Sequence, residues 1–198
     1  PSFDPDPDAE VVEGVKPREL YERYKMFKQI DESENLNVAE KTAEKRRLLG
    51  VPGPEVVYEK PVSSFAKERG GKRDLAAHSA LRADGHAVVV RKETAPKGFS
   101  NIDLLLDGRL CELKSPTSDA SGVNGLRFIE SNIRKAIKQF SKTEHGAVRP
   151  IQVVLNLVGI PIDRSSAVRR ATMEINRHNV DRVLIITNGG TIDDIRKQ

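Results

Sequence analysis

The sequence predicts an α/β sandwich, helices packed on a partly antiparallel sheet, preceded by an N-terminal helical arm. Three observations carry this. Helical periodicity alternates along the chain with short apolar runs. Two of those runs, residues 101–106 and 109–114, are joined by Asp107-Gly108, a strong short-range hairpin signal. Two others, residues 151–158 and 182–187, are apolar almost throughout and suit strands buried on both faces. The order from residue 61 onward is therefore helix, three strands, helix, strand, then an extra helix and strand.

The elements follow in turn. Residues 1–15 are rich in Asp and Pro, a composition that buries little apolar surface, and read as a linker. From Pro17, a residue suited to a first helical turn, Leu20, Tyr21, Tyr24 and Phe27 recur at helical spacing and predict an amphipathic helix to Ile30. A second helix, residues 35–49, stops at Gly50 with Pro52 and Pro54 behind it. Residues 1–60 thus form the linker and arm, and residues 61–198 a second unit. In that unit a helix over 73–83 carries Leu75, Ala76, Ala80 and Leu81 on one side and stops at Gly85; a strand over 86–91 follows. After the hairpin, a helix over 126–141 buries Ile129, Ile133, Ile137 and Phe140, and another over 165–177 separates the last two strands. Asn188-Gly189-Gly190 reads as a turn, since it lacks the strand, glycine and lysine order of a phosphate-binding loop.

Composition narrows the function classes. Of 198 residues, 37% are hydrophobic and 31% charged, the balance of a globular chain. No apolar run approaches the roughly 20 residues that span a bilayer, so no membrane insertion is expected. Cys111 is the only cysteine, which excludes an internal disulfide and a cysteine-based zinc site. The opening stretch lacks the basic and then apolar regions of a signal peptide. The net charge of +4 is unevenly spread: residues 1–60 hold 10 Lys+Arg against 14 Asp+Glu, and the remainder 23 against 15. A basic unit of that kind suits an anionic partner such as nucleic acid.

The hairpin register locates the chemistry. With Asp107-Gly108 as a two-residue turn, Leu106 faces Arg109, Leu105 faces Leu110, Leu104 faces Cys111, and Asp103 faces Glu112. Cross-strand partners sit about 5 Å apart at Cβ, and Lys114 projects from the same face as Glu112. Leu104, Cys111 and Leu113 then form the opposite, apolar face. Two adjacent carboxylates repel each other and need a cation beside them to stay ionised. Mg²⁺, or a similar divalent ion such as Mn²⁺, meets that need while keeping waters and phosphate oxygens in its shell. Lys114 is then placed to hold or deprotonate an attacking water, or to neutralise charge in the transition state.

Asn101-Ile102-Asp103 followed by Glu112-Leu113-Lys114 resembles the PD-(D/E)xK nuclease superfamily, whose core is helix, three strands, helix, strand. Glu112-Leu113-Lys114-Ser115-Pro116, a basic helix and a final VLIITNGGTID segment look more narrowly like the C-terminal nuclease domains of contact-dependent growth inhibition toxins, many of which cleave transfer RNA. The likeness spans about residues 70 to 195 and leaves out the arm. It implies Asp103 and Glu112 as metal ligands, Lys114 as the catalytic lysine and Ser115 as its supporting polar neighbour. Asn101 departs from the superfamily's Pro. The upstream helix acid of such nucleases corresponds best to Asp74, with His78 and then Glu68 as substitutes; Asp74 also reads as a helix N-terminal cap or dipole partner. The resemblance further implies RNA, in particular transfer RNA, as substrate, a cognate immunity protein as partner, and action in the cytoplasm of a target cell after delivery.

On the helix after the hairpin, Arg127, Arg134, Lys138 and Lys142 lie off the apolar stripe and form a candidate phosphate-backbone contact; Gln139 resembles a glutamine found there in related nucleases. With nine aromatics in all (six Phe, three Tyr), base stacking is not expected to dominate recognition unless a few gather at the site. His145 and His178 have no nucleophile at suitable spacing. Two other functions fit the same residues: a DNA endonuclease of the same superfamily, or a non-catalytic nucleic-acid-binding or phage structural module.

Overall fold

A computed structural model describes residues 17–198. The expected linker lies outside them. Five α-helices, α1 (Pro17–Glu32), α2 (Val38–Leu49), α3 (Gly71–Ala83), α4 (Gly125–Phe140) and α5 (Arg164–His178), accompany one mixed sheet. Its seven strands are β1 (Val57–Tyr58), β2 (Val88–Val90), β3 (Leu104–Leu106), β4 (Arg109–Lys114), β5 (Gln152–Asn156), β6 (Arg182–Ile186) and β7 (Ile192–Arg196). They lie side by side in chain order. Pairs β1–β2, β4–β5 and β5–β6 are parallel; β2–β3, β3–β4 and β6–β7 are antiparallel. Among the described residues, no helix is long and apolar enough to cross a membrane.

Side chains alternate between two layers. Val153, Leu155, Val183 and Ile185 point to α4 and α5, where Ile129, Ile133, Phe140, Ala167 and Ile175 close the larger core. Val154, Leu184, Cys111, Leu113 and Leu104 point the other way, under Ala77 and Leu81 of α3. The α/β sandwich expected from the sequence is thus the observed fold, with helices on both faces of the sheet. Nearly continuous burial along β5 and β6 is what a parallel pair covered on both sides requires.

The Asp107-Gly108 turn forms as expected. Both residues have positive φ, 50° and 78°, the signature of a type I′ hairpin, and the register pairs Leu104 with Cys111, Leu105 with Leu110 and Leu106 with Arg109. Two strands went unread. β1 has only two residues, and β7, Ile-Asp-Asp-Ile-Arg, carries a polar composition that masks its period. The region read as a plain turn after β6 is a 3₁₀ turn, Asn188–Gly190, leading into β7. The strand expected over 101–106 is shortened to β3 because the Ile102 carbonyl and the Asp103 N–H are diverted to side chains, although the Asp103 carbonyl still accepts from the Arg91 N–H at 2.9 Å.

Helix α2 is anchored to the sheet. Asn37 caps it, accepting from the Glu40 N–H at 2.8 Å while Glu40 accepts from the Asn37 N–H at 2.8 Å. The Asn37 amide also donates to the Asp107 carbonyl, and Arg47 to the carbonyl of Ile192. Buried Glu40 faces Arg109 at 3.3 Å and Arg196 at 3.8 Å. With β1 in the sheet, chain before residue 61 is therefore packed on the same sheet as chain after it.

A buried charge pair sits at the hairpin. His86 Nδ1 and Asp107 Oδ2 are 2.7 Å apart, both about 1% exposed, and Asp107 also accepts from the Ala87 N–H. Asp84 lies 3.4 Å from His86 Nε2 without hydrogen-bond geometry. Burial alone would lower the His86 pKa; the Asp107 hydrogen bond and charge, with Asp84, outweigh it against opposition from Arg182, and the net shift is upward. A raised histidine pKa gives stabilisation that is full below the unfolded value of about 6.5 and fades as pH rises through the folded value. Denaturant midpoints of the native protein should therefore decline as pH is raised above about 6.5, and His86→Gln should flatten that decline.

Candidate functional site

Strand β4 places the candidate residues alternately on its two faces. Leu113 is buried on the α3 side; Glu112 and Lys114 meet α4, and Ser115 faces α3. Glu112 is 1% exposed, which rules out the solvated edge residue that a chance motif would provide. Lys114 Nζ donates to Glu112 Oε1 and to Gln139 Oε1, each at 2.6 Å, and Gln139 Nε2 donates to the same Glu112 oxygen at 2.6 Å. The three side chains lock one another in place. Gln139, singled out only by resemblance, sits in the last turn of α4, which packs on β5, the strand next to β4.

Asp103 joins them by an irregularity. In a regular antiparallel ladder the Leu113 N–H would meet the carbonyl of Ile102. Here that carbonyl accepts from the Arg91 side chain, and the Leu113 N–H donates to Asp103 Oδ2 at 3.1 Å. The Asp103 N–H in turn points to Glu112 Oε2 at 3.3 Å. The two acids predicted as neighbours are neighbours, with the strand broken at that point instead of continuing to residue 101.

Their electrostatics follow from burial. The Glu112 carboxyl is pushed well above the ordinary carboxylate range, first by desolvation and then by the Asp103 charge, with Lys114 opposing. A group in that state gains from a second cation nearby. The donor set, two carboxylates in a polar setting, fits a hard divalent ion that keeps waters and phosphate oxygens in its coordination sphere. Among the described residues, no three His, Cys, Asp or Glu side chains form a ready-made metal cluster.

Asp74 approaches from the opposite layer. It lies in the first turn of α3, whose cap is Gly70 with no side-chain hydrogen bond, so Asp74 is not the cap that one reading of the sequence allowed. Its carboxyl hydrogen-bonds Ser115; burial raises it to about 6, Ser115 and Lys60 acting against that rise and the charges of Asp103 and Glu68 adding to it. The start of α3 is set against the preceding turn by a glycine: a Cβ at residue 71 would lie 1.9 Å from the carbonyl oxygen of Phe65. Asn156, at the end of β5, donates to the Arg73 carbonyl at 3.0 Å and to Ser115 Oγ at 3.3 Å, tying α3 to β4. Nothing in the local sequence marks Asn156, since its partners lie 83 and 41 residues away.

Asp74, Asp103, Glu68, His78 and Lys60 line one recess of about 100 Å³. His78 is there as a neutral ring: burial, with Lys60, lowers its pKa to about 4, and it packs edge-on between Tyr58 and Phe65 with Nδ1 3.2 Å from the Tyr58 hydroxyl. Lys60 and Tyr58 went unnoticed because they precede the motif in a segment without periodicity. A far larger hollow, about 840 Å³, opens at the other end of the sheet between α1, α2 and residues Arg109, Arg182 and Arg196. Its arginines are already matched to Glu40, Glu44 and Asp194.

The basic row on α4 is divided. Gln139 faces the site, and at 100° per residue Lys135 falls about 40° from it, while Lys142 lies in the turn beyond the end of α4. Arg134 is about 140° away by the same count; it pairs with Glu130 at 2.7 Å, and Glu130 with Arg170 of α5. Arg134 is thereby turned away from Gln139 and ion-paired, while exposed Lys135, which the sequence did not single out, lies nearer to it. Arg127, Lys135, Lys138 and Lys142 have no carboxylate partner within ion-pair distance among the described residues. His145 pairs with Glu144 and His178 with Glu174, away from the recess.

No protein-family description matches the chain, and no curated protein matches it in sequence. A solved structure resembles it with a TM-score of 0.47 and 18% identity, covering 75% of this chain and 97% of that one: the CdiA-CT/CdiI toxin and immunity complex from Burkholderia pseudomallei.

Proposed function

We propose that the chain is a metal-dependent endonuclease that hydrolyses phosphodiester bonds in RNA, with transfer RNA as its substrate. We further propose that it is a toxin domain acting in the cytoplasm of a target cell and restrained by a cognate immunity protein. The observation that carries the catalytic part is the convergence of Asp103, Glu112 and Lys114 at the broken end of β3, with Glu112 buried and its charge incompletely balanced. The choice of RNA and the toxin role are supported by the resemblance of the Glu112–Pro116 segment and its surroundings.

In this reading Asp103 and Glu112 hold Mg²⁺ or Mn²⁺, which when bound supplies neutralising charge for the phosphate and lowers the pKa of a water. The protein's own part is positional. Gln139 and Glu112 fix Lys114 Nζ with two of its three protons committed, which leaves one to hold a water or a phosphate oxygen. Ser115 and Asp74 form the wall on the α3 side. The unpaired cations of α4 draw in the backbone of the nucleic acid, an attraction that weakens steeply with salt.

The test is incubation of the protein with total RNA and with plasmid DNA, each with Mg²⁺ and with EDTA. The expected result is discrete products from the transfer-RNA band with Mg²⁺ alone. Cleavage confined to DNA would retain the site and overturn the substrate, and no cleavage of either would overturn the enzyme in favour of a non-catalytic nucleic-acid-binding module.

A further inference from the structure

Beside Ser115 lies a second hollow of about 320 Å³, walled on one side by the 115–118 loop and on the other by α4. Its size is at the lower end of the roughly 300–1,000 Å³ typical of small-ligand sites. Phe128 packs against the core and also borders the hollow. Asn132, 8% exposed, donates its amide to the Phe128 carbonyl at 2.9 Å, and its side-chain oxygen has no hydrogen-bond partner among the described residues. Arg127 and Lys135 stand at the rim. The loop wall is fixed from outside: Arg73 donates to the carbonyls of Pro116 at 2.9 Å and Ser118 at 2.7 Å.

An aromatic ring, an unused amide acceptor and two cations without acidic partners together match a planar heterocycle carrying donors and attached to phosphates. We infer that this hollow receives the base of an unpaired nucleotide next to the scissile phosphate, with Phe128 against its face and Arg127 and Lys135 on its phosphates. The position supports this. Lys135 is one turn before Gln139, about 6 Å along the helix axis, so the hollow adjoins the site holding Glu112 and Lys114. A base inside a duplex is stacked between its neighbours and cannot enter a side hollow, whereas bases in loops and ends are free to be splayed out onto aromatic side chains. The inference rests on the nuclease reading and adds to it that cleavage falls in single-stranded segments.

Binding in EDTA tests the hollow independently of cleavage. At one fixed salt concentration, fluorescence anisotropy compares a labelled single-stranded RNA of about eight nucleotides with its duplex. The native chain should prefer the single strand by about tenfold, and Phe128→Leu, which keeps apolar bulk but loses the ring, should abolish that preference with duplex affinity unchanged. Lys135→Ala, at an exposed position that leaves the fold intact, should weaken single-strand binding by several-fold. Equal affinity of the native chain for both forms, or an undiminished preference in Phe128→Leu, would overturn the hollow. If metal-dependent cleavage persists in that case, the nuclease reading survives without it; if the preference holds and no cleavage occurs, the nuclease reading fails and the hollow stands as a single-strand binding site.

Discussion

Glu112→Gln should abolish metal-dependent cleavage, by at least about 10²-fold, while leaving the protein as stable as the native chain or more so at neutral pH. The two effects have one cause. A buried acid whose pKa is raised on folding costs stability at every pH above its unfolded value, neutral pH included, because the unfolded chain carries that charge more cheaply. Glutamine keeps the shape and removes the cost. Stability gained with activity lost is the pattern of a group retained for chemistry. Thermal melts with and without Mg²⁺ supply a second readout: the native melting temperature should rise with the ion, as any ligand of the folded state requires, and that rise should vanish in Glu112→Gln. Lys114→Ala should lose cleavage to a similar degree. A large fall in stability in Glu112→Gln, with cleavage retained, would assign the carboxylate to structure alone.

The largest loss of stability is expected at the other end of the sheet. Arg182 is 2% exposed and bonds Asp194 through two nitrogens, at 2.9 and 2.8 Å, with Gln152 at 3.3 Å and Glu40 at 4.0 Å. Arg182→Met would leave Asp194 buried with only Arg196 as an ion-pair partner among the described residues, and Glu40 with Arg109 and Arg196. Breaking a buried pair in this way costs about 3–5 kcal/mol, which a fall in the urea midpoint measures. Adding Asp194→Leu to Arg182→Met should recover much of that loss, because the penalty comes from the unpaired charge. An unchanged midpoint in the single variant would mean that Arg196 and Arg109 suffice to balance the two acids.

Sequence reasoning reached the fold and the centre of the site through the same feature, the Asp107-Gly108 turn. Its register placed Asp103 against Glu112, and strand alternation placed Lys114 beside them. What the sequence left hidden was set by packing. The break at Asp103 depends on Arg91 taking the Ile102 carbonyl, a competition that no periodicity registers. β7 carries Asp193 and Asp194, poor strand residues, whose partners Arg164 and Arg182 come from other elements. The basic row on α4 was chosen by distance from an apolar stripe, which admitted Arg134 and passed over Lys135; which side of α4 meets Glu112 and Lys114 is visible only from the contacts of Gln139.

The order of the strands also shapes how the chain folds. Each strand pairs with the one just before it in the chain. The β3–β4 hairpin closes through two residues, residues 91–103 join β2 to β3, and each parallel addition, β2 on β1, β5 on β4 and β6 on β5, spans the helix between its strands. Contacts that are local in sequence cost little loop-closure entropy and favour rapid folding. A chain so arranged can assemble its sheet progressively from one edge to the other, and the acids at β3 and β4 meet in the first hairpin to close.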